Sequence, residues 1–559
     1  MELEFPTFQI FLAFLVFVFI LLKLEKTSKT NNTTSNLPPG PRKLPVIGNL
    51  HQLVGSLPHH GLKDLAKKYG PLMHLQLGEV STIVVSSPEF AKQLMKTHDV
   101  TFALRPPVLA AKIMSYDNSG IIFSPYGDCW RQLRKICVSE LLSAKRVQSF
   151  RSIREAEVCN LINWISSNEG SVINLTEKVF SLMYGITSRA AFGNKSSEQE
   201  AFVSVMEETT KVISGFNIAD LFPSFELLQW VTGFRSHAEK LHQQADRIVE
   251  SIINDHKKCE TKNESDRDLV DVLLKIQEDG NLELPLSTHN IKAVISDIFG
   301  AGSETSATTV DWAMCEMMKN PGVMKKAQAE VREVFNRKGK IDETGISEMK
   351  YLKLVVKETL RLRPSAPLIP RECGESCEIN GFNIPVKARI IVNSWATGRD
   401  PMYWTQPESF IPERFIDHSV DFKGSNFEYI PFGAGRRICP GMLYGLANVE
   451  FPLAMLLYHF DWKLPNGMNH EDLEMTETFG VTENRRKNIL LVHECAISEA
   501  GLLLMVEPPA MVEARRPGQR QLARRALQHE NQGTKTTRPP TITETEHPLP
   551  RDGKVMGVD

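Results

Sequence analysis

The run Pro431-Phe432-Gly433-Ala434-Gly435-Arg436-Arg437-Ile438-Cys439-Pro440-Gly441 decides the fold, because it sets one cysteine in a glycine-rich loop at the opening of a helical pattern. The glycines let the backbone approach a flat cofactor closely and take φ angles closed to other residues. Pro440 suits a first helical turn, where its missing N–H is not needed. Free N–H groups and the positive end of the helix dipole favour a thiolate, so Cys439 is expected to have a low pKa and to ligate iron. Iron held by a single axial thiolate pushes electron density toward O–O cleavage. The competing reading is a lone reactive or buried cysteine in a loop. The full spacing Phe-x-x-Gly-x-Arg-x-Cys-x-Gly, headed by Phe432, weighs against it.

On these residues the chain resembles a cytochrome P-450, a haem-thiolate monooxygenase, over about Leu37 to Arg486. The resemblance implies a mainly α fold with small β-sheets, a single catalytic domain behind one N-terminal transmembrane helix. It implies haem b as cofactor, with Cys439 as its axial thiolate and Phe432, Gly433, Arg437 and Gly441 around it.

Three further patterns carry chemistry of their own. Trp130 and Arg134 lie four apart on one helix face, and both can donate to a carboxylate; an amphipathic helix with a packed Trp is the plainer alternative. The resemblance makes them haem-propionate donors, joined by Arg371 and Arg437, with Arg105 a further addition. Gly300 and Gly302, inside a helical pattern from about Ser287 to Lys319, each cost roughly 1 kcal/mol in an ordinary helix, which predicts a local break; a packing contact that needs small residues is the alternative. By resemblance this is the oxygen-binding groove, where Glu304 relays protons and Thr305 hydrogen-bonds dioxygen or a water beside it. This chain has Ser303 and Glu304 where the family often has Thr and Asp, and the acid and the adjoining alcohol remain. Glu358 and Arg361 share a helix face at i,i+3, commonly a solvated pair. With Pro412-Glu413-Arg414-Phe415 downstream, the resemblance makes Glu358, Arg361 and Arg414 a buried structural cluster.

Composition is ordinary for a globular protein, and the formal charge of −2 over 559 residues gives no global pull toward nucleic acid or an anionic surface. An electrostatic partner must read a local patch. Nine cysteines without a Cys-x-x-Cys pair suggest neither a zinc ribbon nor a disulfide framework.

From Phe5 to Leu22 the chain is almost wholly apolar, near the roughly 20 residues that span a bilayer. Lys23, Lys26 and Lys29 follow it, which puts the next domain on the cytoplasmic side. A cleaved secretory signal would carry its basic residues before the apolar run and a small-residue site after it. The expected organisation is an anchor and linker start over 1–30, a monooxygenase domain over 31–497 with a proline hinge at 37–41, and a disordered tail over 498–559. Such a tail is either a real basic extension or translation outside the native frame. Leu72–Leu77 and Thr82–Val85 read as strands about Gly78-Glu79, and strand signals return over Glu378–Ile384 and Arg389–Asn393. Helical patterns cover Pro88–His98, Ala156–Ser166, Ala238–Lys257 and Ile291–Lys319.

The implied location is the endoplasmic reticulum membrane, single-pass, with the catalytic domain cytosolic. The implied reaction inserts one oxygen atom from O2 into a C–H or C=C bond of a lipophilic small molecule. Electrons come from an NADPH-dependent membrane reductase, with cytochrome b5 as an additional donor; Arg131, Lys135 and Arg436 offer a local basic patch. The segments Val108–Met114, Phe216–Phe222, Ile298–Ala301, Ala366–Ile369 and Thr478–Val481 are placed by resemblance over the distal haem face, and their apolar character suits a terpenoid. Phe123 to Asp128 and Ser149 to Arg154 look like plant members that oxidise terpenes, in specialised metabolism. Alkaloids, phenylpropanoids and fatty acids stay open as substrates. A reductase-independent haem-thiolate isomerase or lyase is a rival, against which the Glu304-Thr305 pair argues. A non-enzymatic haem carrier is another, and it has no use for an oxygen groove.

Overall fold

Apolar alternation and one tight turn make the first sheet edge. Leu72–Leu77 (β1) and Val80–Val85 (β2) pair antiparallel with Leu77 opposite Val80, as the hairpin reading expects, and Gly78 turns the chain at φ +60. Further along lie β3 (Ile173–Asn174), β4 (Leu368–Glu372), β5 (Cys377–Ile379), β6 (Phe382–Ile384), β7 (Arg389–Asn393), β8 (Phe460–Lys463) and β9 (Leu490–Cys495). The largest sheet runs β1-β2-β7-β4, with β7 parallel to β2. The strand expected over Glu378–Ile384 is a hairpin, folded at Asn380 and Gly381, both at positive φ. The computed structural model describes residues 36–193, 198–213, 217–258, 267–416, 419–478, 480, 482, 485 and 487–496. The anchor expected at 5–22 and the tail expected from 498 lie outside them. Among the described residues no helix is long and apolar enough to cross a membrane.

Helices make up most of the remainder, and the central one, Thr288–Lys319, is capped by Ser287, whose hydroxyl accepts from the Asn290 N–H while Asn290 answers in a capping box. It runs unbroken through Gly300 and Gly302, against the expected break. The physical reason is packing. A Cβ on Gly300 would sit 3.3 Å from the Met206 side chain and one on Gly302 3.2 Å from the Tyr444 ring, so both glycines admit neighbouring helices closely. Leu133, Phe150, Phe202, Ile253, Leu273 and Phe299 belong to the core around this helix, where each large side chain taken out of water contributes about 1.5–3 kcal/mol.

The proline segment lies along β1: the His74 N–H donates to Pro39 O at 2.9 Å and Asn49 Nδ2 to Pro41 O at 3.2 Å. Close by, the helix Pro58–Tyr69 begins with two histidines whose Nε2 atoms each lie 2.9 Å from Glu477 Oε2. Arg363 pairs with the other oxygen of that carboxylate. Glu477 is thereby held well below the usual carboxylate range by the His59 and His60 hydrogen bonds and by Arg363, which together outweigh its burial.

On the helix Lys350–Leu362, Glu358 and Arg361 are fully buried and joined by two 2.8 Å hydrogen bonds, and Arg414 Nε donates to Glu358 Oε1 at 3.0 Å. The backbone closes the remaining valences. Ile411 N–H donates to Glu358 Oε1 at 2.8 Å, and Arg361 donates to the carbonyls of Gly398, Pro407 and Ser409 at 2.6–3.0 Å. The solvated-pair reading is therefore set aside for these residues.

Candidate functional site

A cavity of about 320 Å³ lies between the central helix and the Cys439 loop. Trp130, Arg134, Thr305, Arg371, Phe432, Gly433, Arg437, Cys439 and Gly441 all line it, although they come from four separate stretches of sequence. Arg105 lines it too. Glu304 instead lines an adjoining cavity of about 180 Å³, which shares Ile122, Asp297, Ala301 and Thr305 with the first.

The loop's shape follows from its glycines and its hydrogen bonds. Gly435 takes φ +68, and a Cβ there would lie 2.2 Å from Met95 O, so no other residue fits without moving backbone. The Cys439 N–H donates to Phe432 O at 2.9 Å and the Gly433 N–H to Ile430 O at 2.9 Å, which fastens the loop around the sulfur. Helix begins at Met442 with Gly441 as its N-cap, so Pro440 precedes the first turn that it was expected to occupy. The low thiol pKa expected for Cys439 is also corrected. Burial pushes it up, and the Gly441 N–H and the Arg134 guanidinium pull only partly against that. A bound cation, rather than the helix end, is what would hold this sulfur deprotonated.

Four guanidinium groups crowd one end of the cavity. Burial, then Arg105 and Arg134, push Arg437 down to about 9; burial pushes Arg105 down to about 10. Burial, Arg105 and Arg437 drive Arg371 well below its ordinary value, although Asp99 pulls the other way. Their hydrogen bonds go to carbonyls. Arg437 donates to Ala103 O, Ile121 O and Ser124 O at 2.8, 3.3 and 2.5 Å. Arg105 Nε donates to Ile122 O at 3.0 Å. Arg371, only 2% exposed, reaches Pro370 O and Ala434 O at 3.4 and 3.5 Å, which are weak contacts. Buried like charges of this kind are costly unless anions join them. Two carboxylates on the edge of a flat apolar ring would meet that need, and haem b carries two propionates, so the residues present fit it. Trp130 differs in detail from expectation. Its indole N–H donates to Ile121 O at 3.0 Å, and its ring lies 4.2 Å from the Arg437 guanidinium carbon, a cation–π contact.

On the central helix Thr305 Oγ1 donates to Ala301 O at 2.7 Å, and the Thr305 carbonyl accepts from Thr309 Oγ1 and Ser365 Oγ at 2.8 and 3.1 Å. The smaller cavity's wall includes Ala111, Met114, Met206, Thr209, Ile213 and Thr482. Met206 and Thr209 belong to the helix Gln199–Val212, which the sequence reading did not assign to the site. The described part of Phe216–Phe222 turns away. Leu221 and Phe222 pack with Leu75 and Leu77 of β1, and Phe216 lies outside the described residues. Asp297 was missed as well; it is buried, and burial raises it to about 6 against the pull of two backbone N–H groups.

A family model described as Cytochrome P450 matches residues 38–492. The chain is 54% identical over 465 residues to a premnaspirodiene oxygenase of Hyoscyamus muticus, covering 82% of this chain and 93% of that one. It is 55% identical over 467 residues to tabersonine 6,7-epoxidase isoform 1 of Catharanthus roseus, covering 82% and 92%. Among solved structures, a zebra fish cytochrome P450 with abiraterone superposes with a TM-score of 0.67 at 22% identity, over 79% of this chain and 99% of that one. With that match in sequence and in fold, around a half-buried cysteine that shares its cavity with four guanidinium groups, the chain belongs to the cytochrome P450 family of haem-thiolate monooxygenases.

Proposed function

We propose that Cys439 is the axial ligand of haem b and that the enzyme oxygenates a lipophilic terpenoid, a sesqui- or diterpene of plant specialised metabolism. The observation that carries the ligand is the cavity itself: among the described residues Cys439 is the only thiol that lines it, and no described histidine or methionine does. Arg134, Arg371 and Arg437 seat the cofactor, with Arg105 beside them, by charge and by hydrogen bonds to its carboxylates, and Trp130 supports them through its ring against Arg437. Phe432, Gly433 and Gly441, which line the cavity with Cys439, would hold the cofactor on the cysteine side. When bound, haem with its axial thiolate supplies the activation of dioxygen and the transfer of one oxygen atom to substrate.

The protein's own part is orientation and proton supply. Thr305 gives its hydroxyl hydrogen to Ala301 O, which leaves lone pairs of Oγ1 to accept from a water or ligand in the cavity. Glu304, next in sequence and facing the adjoining cavity, is the acid that recharges that water. A positioned proton donor contributes about 10²–10⁴-fold. Thr305→Ala should therefore lower product formation by at least about tenfold while NADPH oxidation continues, so product per NADPH consumed falls. An unchanged ratio removes the proton role from Thr305.

The terpenoid reading is supported by the 54% identity to premnaspirodiene oxygenase and by a distal wall of Ala111, Met114, Ile122, Met206 and Ile213. An alkaloid substrate is the second reading, favoured by the 55% identity to tabersonine 6,7-epoxidase. Product analysis after co-expression with an NADPH-dependent reductase, fed with terpene scaffolds in one arm and indole alkaloids in the other, tests the choice. Oxidation confined to the alkaloid arm overturns the terpenoid reading.

Anchoring by 5–22 in the endoplasmic reticulum membrane, with the domain cytosolic, is supported by apolar surface near the proline segment. Val54 is 80% exposed, Leu227 63% and Val231 70%, and neighbouring residues of both stretches pack on one cluster with β1. Arg131, Lys135 and Arg436 are exposed, and the first and last flank the Tyr126 ring at 5.8 and 5.7 Å, which supports a docking patch for the reductase or cytochrome b5.

A further inference from the structure

We propose that Asp297 is a positioning residue: its carboxylate clamps the strap Gly120-Ile121-Ile122, so that one strap holds both the propionate donors of the haem site and the wall of the substrate cavity. Asp297 Oδ2 accepts from the Ile121 N–H at 2.7 Å and the Ile122 N–H at 3.1 Å. The opposite sides of the same two residues carry the donors. Ile121 O accepts from Trp130 Nε1 and Arg437 Nη1, and Ile122 O accepts from Arg105 Nε. Three of the groups that seat the cofactor are thus referred to a strap whose N–H groups end on one side chain.

The strap is shaped around that carboxylate. A Cβ on Gly120 would lie 2.2 Å from Asp297 Oδ2, closer than any real contact, so the carboxylate occupies the place where a side chain at 120 would begin. Asp297 and Ile122 also belong to both cavities, which makes the strap a shared partition. Loosening it should release haem and blur the substrate wall together. Both hydrogen bonds end on a charged acceptor, so loss of both should speed haem release by at least about tenfold.

The inference rests on Cys439 and the guanidinium groups forming the haem site, and its test separates the two. Haem-loaded full-length protein in detergent is mixed with excess apomyoglobin, and the rate of haem transfer is followed by the Soret band. Wild-type protein that never shows a Soret band removes the underlying haem-site reading, and the clamp with it. With wild type loaded, Asp297→Ala should lose haem at least about tenfold faster, and Asp297→Asn should stay within about twofold of wild type, because an amide oxygen accepts the same two N–H groups. Gly120→Ala displaces the carboxylate from the other side, so it should match Asp297→Ala, and the double variant should be no faster than either single one, as coupled neighbours require. Where Asp297→Ala fails to fold, Gly120→Ala against Asp297→Asn carries the same contrast. The clamp is overturned by wild-type rates in Asp297→Ala or Gly120→Ala, or by an Asp297→Asn rate as fast as Asp297→Ala, which would assign the effect to negative charge instead.

Discussion

Cys439→Ala is expected to yield a folded protein with no thiolate-type spectrum after reduction under carbon monoxide and with turnover at background. Among the described residues the cavity's lining holds no second soft donor, so deletion of this sulfur should leave the iron without a protein ligand. Folding should survive, because the loop is fastened by backbone bonds: the residue 439 N–H to Phe432 O, Gly433 to Ile430 and the turn at Gly435. Cys439→His makes a sharper companion. It can retain iron through imidazole, yet lacks the electron push of a thiolate, so haem content should recover while oxygenation does not. Wild-type turnover in either variant removes Cys439 from the chemistry.

Glu358→Ala carries the largest expected effect on stability. The fully buried carboxylate answers Arg361 and Arg414, and removal leaves two guanidinium groups uncompensated in a dry site. Breaking a buried pair this way costs about 3–5 kcal/mol, against a total of about 5–15 for a native domain, so little soluble protein is expected. Glu358→Gln, similar in volume, separates charge from packing: it should be nearly as damaging. A thermal midpoint unchanged in Glu358→Gln would mean that the ion pairs contribute nothing net to folding.

Local features were the legible ones. The hairpin at Gly78 and the strand Arg389–Asn393 follow from residue types within a few positions, and the structure has both. The cysteine loop was legible for the same reason, since its turn residues and its ligand candidate sit in one eleven-residue run. What failed was whatever depends on distant partners. Gly300 and Gly302 suggested a break because propensity counts the cost of glycine and ignores the close approach of Met206 and Tyr444. Asp297 gave no signal because its acceptors' partners lie 176 and 175 residues away. The Cys439 pKa was misjudged because desolvation depends on the whole fold rather than on the loop. The described part of Phe216–Phe222 was placed at the cavity by analogy, whereas its apolar side chains find β1.

The clasp between the helix Pro58–Tyr69 and Glu477 joins residues 418 positions apart. At synthesis rates of roughly 5–20 residues per second, the histidines wait about 20–80 s on the translating ribosome before their carboxylate is made. The helix Pro58–Tyr69 can settle on β1 through Leu62 and Leu65 early, but its clasp closes late, and premature termination upstream of Glu477 should leave nascent products open at this seam, exposed to chaperones and proteases.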